Sequence, residues 1–169
     1  PWLLHICSSQ KVESNTISNR WLHLATIGID NSPRVRTVVF RGWNKNYEMK
    51  IFTDKRTQKV KELELNNNAE LCWLFPTSKC QFRLRGKAKI DMSDETIYDW
   101  NKLDNIQKSM WGWPTPGENF NTTNKKLKKE EINNINLENF ALLKFDIFHV
   151  DQLILQKGIH FRRRWMKHN

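Results

Sequence analysis

Side chains alternate strictly between Gln81 and Arg85, and this pattern constrains the fold more than any other stretch of the sequence. Gln81, Arg83 and Arg85 share one face of an extended chain. Phe82 and Leu84 share the opposite face. A period of two residues is typical of a β-strand with one face against a core and the other toward solvent. The sequence therefore predicts a sheet whose apolar side chains lie on one side.

Similar runs recur along the chain, separated by turn sequences rich in Asn, Asp and Pro, such as Asp30 to Pro33. Helices are predicted near the N-terminus, up to about Leu65 with Asp54 or Thr57 as N-cap, and from Ser93 as N-cap through Leu103. Residues 111–117 are predicted to be non-helical because of their two prolines. Strands are predicted at residues 21–29, 34–43, 47–53, 70–75 and 80–91, at 140–155 as one long strand or a pair, and at 160–165. Short strands in hairpin order with few helices predict a mainly β fold, an antiparallel barrel with its helices packed outside.

The size and composition of the chain suit one globular domain. Of its 169 residues 38% are hydrophobic, and eight Trp and nine Phe can fill a core, so we expect a single domain over residues 1–169. No run approaches the roughly 20 apolar residues of a membrane span, and residues 1–5 are too short and unbasic for a signal peptide. Three cysteines without a CxxC pair are typical of reduced thiols. We therefore expect a soluble cytoplasmic protein.

Residue spacing argues against several classes of site. The five His residues lack metal-ligand spacing, and no Ser-His-acid set or carboxylate pair stands out. The six Gly residues form no G-x-G-x-x-G or P-loop pattern, which argues against a Rossmann domain. The net charge of +10 leaves two alternatives open, a solvated basic surface or a small basic barrel that binds single-stranded nucleic acid. The nucleic-acid surface would consist of Trp73, Phe82 and Arg83 or Arg85.

Two stretches carry the residue types that an anion needs. Residues 34–41 place arginines within an apolar strand, where charged side chains are seldom buried unless something pairs with them. Residues 52–59 end a strand and begin a helix, whose N-terminus presents free N–H groups and the positive end of a dipole. The candidate phosphate ligands are Arg36, Arg56, Thr57 and Lys59. The same cations also suit a plain exposed helix start, so the residues alone leave both interpretations open.

Three motifs, in this order and at this spacing, resemble the pyridoxamine 5′-phosphate oxidase-like FMN-binding split-barrel proteins. They are Arg36-x-x-x-x-Arg41, Phe52-Thr-Asp-x-Arg-Thr-x-Lys59 and Gln81-Phe-Arg-Leu-Arg-Gly86. Within that family the chain looks most similar to the cyanobacterial Alr4036-type branch, which also carries Trp-Pro-x-Pro-Gly, here residues 113–117. The resemblance covers nearly the whole chain. It implies an antiparallel split β-barrel, in agreement with the barrel predicted from the strand pattern.

The resemblance also implies FMN as the cofactor, and no metal. It assigns the FMN phosphate to the four candidate ligands and lays the main chain from Arg36 to Arg41 along the isoalloxazine ring, with Gln81 at its pyrimidine edge. The implied FMN contacts are Arg36, Thr37, Val38, Val39, Arg41, Phe52, Thr53, Arg56, Thr57, Lys59, Gln81 and Arg162. The candidates on the substrate side are Arg41, Lys108 and His160.

The C-terminal motif departs from that of the classical oxidases. Leu153 stands where those enzymes have Trp, and the Arg that comes before His160 in their motif is missing. We therefore expect an FMN-dependent oxidoreductase related to pyridoxamine 5′-phosphate oxidase, with its substrate left open, in a homodimer with FMN at the subunit interface. A flavin-binding protein without turnover is the alternative. Residues 121–139 are interpreted as a polar, exposed helix or insertion without a functional role.

Overall fold

A computed structural model describes residues 1–113, 115–117, 137–156 and 158–167, and over these ranges the chain is mainly β. The strands are β1 (Trp21–Ile27), β2 (Pro33–Trp43), β3 (Met49–Asp54), β4 (Asn68–Phe75), β5 (Cys80–Asp91), β6 (Phe140–Gln156) and β7 (Ile159–Met166). The helices are α1 (Trp2–Val12), α2 (Gln58–Leu65), α3 (Asp94–Asn101) and α4 (Asn105–Ser109), with short 3₁₀ helices at Ile17–Arg20, Met110–Gly112 and Leu137–Asn139. The predicted strands are all present, and residues 140–156 form one long strand.

The sheet closes into a split barrel because β6 is long enough to pair with both β3 and β7 along one edge. The strand order is β3-β2-β1-β4-β5-β6-β7, and β3 also pairs with β6, which closes a barrel of six antiparallel strands. The first part of β6, from Phe140 to Phe145, pairs with β3. Its second part, from His149 to Gln156, pairs along the same edge with β7. The predicted antiparallel split barrel is therefore confirmed.

Gly86 marks the point where β5 bends against β6. The register of the two strands shifts between Arg85 and Gly86. A Cβ atom on Gly86 would lie 2.3 Å from the carbonyl oxygen of Asp146 on β6, a distance that no side chain tolerates. The glycine of the Gln81–Gly86 motif thus allows the two backbones to approach closely at a bulge.

The barrel interior is filled by the inward positions of the alternating strands. Trp73, Phe75 and Phe82 are completely buried there, with the rings of Trp73 and Phe75 5.0 Å apart. The predicted nucleic-acid surface is therefore wrong in both of its aromatic residues, because Trp73 and Phe82 face the core. Arg83 and Arg85 do lie on the outer face, where ion pairs with Glu70 and, for Arg83, Asp151 occupy them.

A second, smaller aromatic cluster lies outside the barrel, where α3 and the 3₁₀ turn at residues 110–112 cover β3 and β6. Its buried members are Trp100, Trp111 and Phe140, and Phe52 of β3 packs against them. The ring of Phe140 lies 5.0 Å from that of Trp111 and 5.2 Å from that of Phe52. This cluster joins the α3–α4 segment to the strand that carries the phosphate motif.

Three predicted boundaries were wrong. Helix α2 begins at Gln58, so Thr57 and not Asp54 is its N-cap. Asp54 is the last residue of β3, and its side chain accepts the N–H of Arg56 at 2.8 Å. Helix α3 ends at Asn101, so Leu103, which was expected within it, follows it. Residues 111 and 112 are helical although a non-helical segment was expected there. The proline at position 114 restricts only the residue before it, and Trp113 is indeed extended.

Cys7, Cys72 and Cys80 are all free, as predicted. Pro114 and residues 121–136 of the predicted insertion lie outside the described residues. Among the helices of the described ranges, none combines the length and the apolar character needed to cross a membrane.

Candidate functional site

Most of the predicted FMN contacts lie on β2, β3 and the turn that leads into α2. Successive β2 side chains point to opposite faces of the barrel wall. Val38 is buried inward, with Arg36 on the same side at the end of the barrel that α2 covers. Thr37, Val39 and Arg41 lie on the outer face. The strand therefore offers its backbone and small side chains outward, and one guanidinium toward α2.

Lys59 has no carboxylate partner among the described residues. Its Nζ donates to Thr53 Oγ1 at 3.1 Å and to Thr57 Oγ1 at 3.3 Å. The ion pairs found within the described ranges do not include it. Burial lowers the pKa of Lys59 below its ordinary value of 10.5, and the nearby charge of Arg36 lowers it further, against the opposing charges of Asp54 and Glu62. A half-buried cation that is held only by hydroxyl groups is suited to receive an anion.

The N-terminus of α2 adds backbone donors beside Lys59. Thr57 is the N-cap residue, yet its side chain makes no capping hydrogen bond. Its hydroxyl instead donates to the carbonyl of Asp54 at 2.7 Å. The N–H of Val60 donates to the Thr57 carbonyl at 3.1 Å, whereas the Thr57 side chain caps none of the first-turn N–H groups, so those of Gln58 and Lys59 can serve an external acceptor.

Arg36 is held by two buried groups. Its Nη2 donates to Glu62 Oε2 at 2.6 Å, and its Nη1 donates to the hydroxyl of Thr26. The Thr26 hydroxyl donates in turn to the same Glu62 oxygen at 2.6 Å. Glu62 is therefore the buried counter-charge of Arg36. Its presence explains how an arginine can lie within an apolar strand.

Arg56 fastens the turn between β3 and α2. Its Nε and Nη2 donate to the two carboxylate oxygens of Asp54 at 3.0 and 2.7 Å, and Nη2 also donates to the carbonyl of Trp113 at 3.0 Å. From the other side, Asn139 accepts the N–H of Lys55 at 2.9 Å. Arg56 is thus engaged in bracing the loop, and its predicted contact with phosphate stays a prediction.

Arg41 lies over the ring of Phe52, with its guanidinium carbon 5.2 Å from the ring centroid. Its Nε is buried and has no hydrogen-bond partner in the described part of the chain. Burial lowers the pKa of Arg41, and the charge of Arg20 lowers it further. A half-buried cation with a buried, unsatisfied donor on the outer face of β2 is the second indication of a missing anionic or polar partner.

Gln81 and Arg162 lie apart from this group. They flank Leu153 in one row across β5, β6 and β7, on the outer face of the sheet. In the barrel order, β5 is three strand positions from β2, roughly 14 Å along the sheet. Because β2 and β5 lie on opposite sides of a six-strand barrel, their outer faces point in opposite directions. One chain therefore does not bring Gln81 and Arg162 to the residues on β2.

Asp151 organises the arginines around that second row. It is buried beneath Arg83, Arg162 and Arg164; the Arg83 Nη2 and Arg162 Nε atoms lie 2.7 and 2.9 Å from its carboxylate oxygens. The hydrogen bond from Arg162 holds the pKa of Asp151 well below its ordinary value, and Arg83 acts in the same direction. The outer face of β6 thus carries a fixed, net positive cluster.

The three substrate-side candidates lie on three different elements. Arg41 is on β2, and Lys108 is on α4, where its Nζ lies 5.5 Å from the centroid of the Trp100 ring. His160 is exposed on β7, opposite Leu155. None of the hydrogen bonds or ring contacts among the described residues joins these three side chains.

The sequence prediction missed Thr26, Asp54, Glu62 and Asp151. Each is a polar residue that pairs with a predicted site arginine. The signal was partly available for Glu62, which follows Lys59 by three residues and so shares its side of the helix. For Thr26 and Asp151, only the strand pairing reveals the partner.

The comparisons with known proteins agree with this geometry. Residues 1–91, more than half of the chain, match the family model described as pyridoxamine 5′-phosphate oxidase, FMN-binding domain. The chain belongs to this oxidase family. FMN is the cofactor of the family, which confirms the cofactor prediction; the assignment to a branch within it stays a prediction.

Among the relatives of this family member is pyridoxine/pyridoxamine 5′-phosphate oxidase 2 of Arabidopsis thaliana, 32% identical over 133 residues that cover 72% of this chain and 66% of that protein. A pyridoxine/pyridoxamine 5′-phosphate oxidase of Leptospira biflexa is 29% identical over 97 residues, which cover 57% of this chain and 45% of that protein. The chain thus spans about half to two thirds of the length of these curated relatives.

Two solved structures have a similar fold. A pyridoxamine 5′-phosphate oxidase-related, FMN-binding protein of Nostoc punctiforme superposes with a TM-score of 0.87 at 27% identity, covering 100% of this chain and 92% of that one. PhzG of Burkholderia lata superposes with a TM-score of 0.78 at 14% identity, covering 98% of this chain and 85% of that one, which shows the shared fold alone.

The residues present fit FMN. A phosphate monoester carries close to two negative charges and needs several donors. Lys59, the Thr53 hydroxyl and the uncapped turn of α2 offer these donors at one place. Arg41, with its unsatisfied Nε, offers a cation for the ring end.

Proposed function

We propose that this chain is an FMN-dependent oxidoreductase that acts on a small molecule, with the FMN phosphate at Lys59 and the ring along β2. The observation that carries the proposal is Lys59, a half-buried cation held by two hydroxyls and by no carboxylate among the described residues. Family membership names the anion that suits this position.

The phosphate end is supported by the complementarity of its donors. Lys59 supplies a point charge, Thr53 a hydroxyl and α2 its first-turn N–H groups, and Arg36 supplies a fixed guanidinium next to them. Arg56 holds the loop in place through Asp54 and the carbonyl of Trp113. The protein thus orients the cofactor by its phosphate, before any chemistry.

The ring end is supported by the outer face of β2. Bound FMN supplies hydride exchange with a substrate, while the protein supplies position and electrostatics. Thr37 and Val39 present short side chains there, so a planar ring can approach the backbone. Arg41, fixed over Phe52, places a cation where negative charge on a reduced ring is stabilised.

A homodimer completes the proposed site. Gln81 and Arg162 lie on the opposite side of the barrel from β2, so they reach a flavin only in a second copy of the chain. The outer face also exposes apolar side chains that a partner would cover. They include Trp21 (51% exposed) and Leu74 (48% exposed). Assembly over this face would also bring His160 of one copy toward Arg41 of the other.

Pyridoxine or pyridoxamine 5′-phosphate is the first substrate to test, because the relatives named above are oxidases of these compounds. The substitution of Leu153 for Trp and the incomplete motif before His160 argue for a changed substrate pocket. A cytoplasmic location is part of the proposal, since three free cysteines suit a reducing compartment.

The test is the visible spectrum of the purified protein, with the released chromophore identified by mass, followed by an oxidation assay with added FMN, oxygen and either vitamer phosphate. We expect bound FMN and slow oxidation of one vitamer. Protein that binds FMN but turns over neither compound would support a flavin-binding protein without this activity. Protein that neither contains nor takes up FMN would overturn the proposal.

A further inference from the structure

Thr26, Arg36 and Glu62 form a closed triangle of hydrogen bonds between β1, β2 and α2. Arg36 donates to both other side chains, and Thr26 donates to Glu62 at 2.6 Å. Thr26 is 2% exposed, and the Glu62 side chain is 5% exposed, whereas that of Arg36 is 23% exposed. Of the three side chains, only that of Arg36 is therefore appreciably exposed to solvent.

A buried carboxylate of this kind needs a reason. Removing its charge from water is unfavourable, and an apolar residue of similar size would often serve stability as well. Only 5% of the Glu62 side chain is exposed, and its Oε2 already accepts from Arg36 and Thr26. Any contribution to a site must therefore pass through the group that it holds, which is Arg36.

The position of Lys59 shows what that contribution is. The nearby charge of Arg36 contributes to the lowered pKa of Lys59, and both side chains are partly withdrawn from water. Two like charges side by side repel unless a counter-charge is fixed near them. Glu62, three residues from Lys59 on the same helix and bonded to Arg36, is that counter-charge.

Open space beside Arg36 makes the tether necessary. A cavity of about 600 Å³ lies next to the guanidinium, lined by Gly28, Ile29, Asp30, Arg34, Gln58 and Glu62. An arginine with such space beside it, repelled by Lys59, would turn outward if nothing held it. The hydrogen bonds to Glu62 and Thr26 hold it at the barrel end.

We infer that Glu62, itself held by Thr26, is a positioning residue that keeps Arg36 beside Lys59, so that the pair discriminates a flavin carrying a phosphate monoester from a flavin without one. This inference rests on the proposed function, because it assumes that a flavin binds at β2. It adds two residues that touch no cofactor and assigns them to cofactor selectivity.

The experiment compares Glu62→Gln with Glu64→Gln, a matched change at an exposed acid of the same helix. Dissociation constants for FMN and for riboflavin are measured by quenching of flavin fluorescence. We expect Glu62→Gln to weaken FMN about tenfold, the size of one lost charge-assisted hydrogen bond, and to leave riboflavin unchanged. Glu64→Gln should change neither constant.

A pH series gives a readout that a purely structural role would not move. The charged groups that face Lys59 are Arg36 from β2, Asp54 from the end of β3 and Glu62 from its own helix. Glu62 raises the pKa of Lys59, so its removal lowers that pKa. The loss of FMN affinity at alkaline pH should therefore begin at a lower pH in Glu62→Gln than in the wild type.

Two further variants keep the inference testable if Glu62→Gln folds poorly. Thr26→Val removes the second tether without changing charge, and it should weaken FMN but not riboflavin. In an Arg36→Gln background, Glu62→Gln should cause no further loss of FMN affinity, because its effect acts through Arg36.

The outcomes separate this inference from the proposed function. Wild-type protein that binds neither flavin overturns both. Wild-type protein that prefers FMN, together with a Glu62→Gln variant that behaves like Glu64→Gln or loses both flavins equally, overturns the role of Glu62 alone. An additive loss in the Arg36→Gln background overturns it as well.

Discussion

The indole Nε1 of Trp111 donates a hydrogen bond of 2.9 Å to the carbonyl of Thr53, whose hydroxyl accepts from Lys59 at 3.1 Å. The backbone on one side of Thr53 is thus fixed by the aromatic cluster, and its side chain belongs to the phosphate site. The carbonyl of Trp111 also accepts from Asn139 at 2.9 Å. The segment around Trp111 and the phosphate loop therefore form one hydrogen-bonded unit.

Trp111→Phe should loosen this unit while keeping its packing largely apolar. The loss of a buried hydrogen bond at Thr53 lowers the free energy of unfolding by about 1–2 kcal/mol. FMN binding should weaken at the same time, because Thr53 is less well placed. Urea unfolding and flavin titration measure the two effects. Trp113→Phe is the control, because Trp113 is 58% exposed and the substitution keeps the carbonyl that accepts from Arg56. Equal effects of the two substitutions would contradict the interpretation that the Trp111 segment and the phosphate loop form one hydrogen-bonded unit.

Lys59→Met should separate stability from cofactor binding. Burial lowers the pKa of Lys59 in the folded chain, so in the pH range below 10.5 the unfolded chain binds more protons at this residue. The free energy of unfolding of the apoprotein should therefore rise as the pH increases through that range. Lys59→Met removes this rise and stabilises the apoprotein at neutral pH by roughly 1 kcal/mol, because no buried cation is left uncompensated.

The same substitution should abolish retention of FMN. Urea unfolding of the apoprotein at several pH values and the flavin content after gel filtration measure the two changes. Lys61→Met, at an exposed lysine of the same helix, is the control. A Lys59→Met variant that is less stable than the wild type and still retains FMN would contradict the interpretation that Lys59 lacks a carboxylate partner and binds the FMN phosphate.

The strands could be predicted from the sequence because each one carries its own alternation. Residues 80–91 were predicted with the observed bounds, since every second residue from Cys80 to Ala88 is apolar or glycine and buried. The closure of the barrel could not be derived in this way. It depends on the pairing of β3 with the first part of β6, two segments about 90 residues apart in the sequence. The pattern of neither segment indicates that it pairs with the other.

The site was predictable only in part for the same reason. Arg36, Thr57 and Lys59 belong to motifs that are short in sequence, so the resemblance found them. Their partners come from elsewhere, as Thr26 lies 36 residues before Glu62. Asp54 was assigned to a helix because Asp is a good N-cap, whereas the strand extends through it and the carboxylate pairs with Arg56.

Asp151→Asn should weaken the attachment of β7. The mutation removes the ion pairs with Arg83 and Arg162, whose side chains are 37% and 47% exposed. Solvent screening at these arginines limits the loss to about 1 kcal/mol of unfolding free energy at neutral pH. The carboxyl pKa is lowered in the folded chain, so this stability exists above the ordinary value of 3.8 and is lost as the pH falls below it.

The difference between wild type and Asp151→Asn should therefore shrink in strong acid. Urea unfolding at neutral and acid pH measures it. Asp146→Asn on the same strand is the control, because Asp146 is exposed and pairs only with the exposed Lys167 among the described ion pairs. A loss from Asp151→Asn that does not change with pH would point to packing rather than charge.

Leu74→Arg should prevent the proposed dimer and thereby weaken FMN binding. Leu74 is 48% exposed on the outer face of β4, directly opposite Gln81 of β5 in the register. A charge forced into the centre of an apolar interface costs roughly 2 kcal/mol or more, which raises the dimer dissociation constant by at least about thirtyfold. The barrel should remain folded, because the side chain of Leu74 points away from the core.

Analytical ultracentrifugation and flavin titration measure the effects of Leu74→Arg on the dimer and on FMN binding. Leu65→Arg, at an exposed leucine at the end of α2, should leave both unchanged. A Leu74→Arg variant that stays dimeric and binds FMN normally would show that the subunits do not meet over this face.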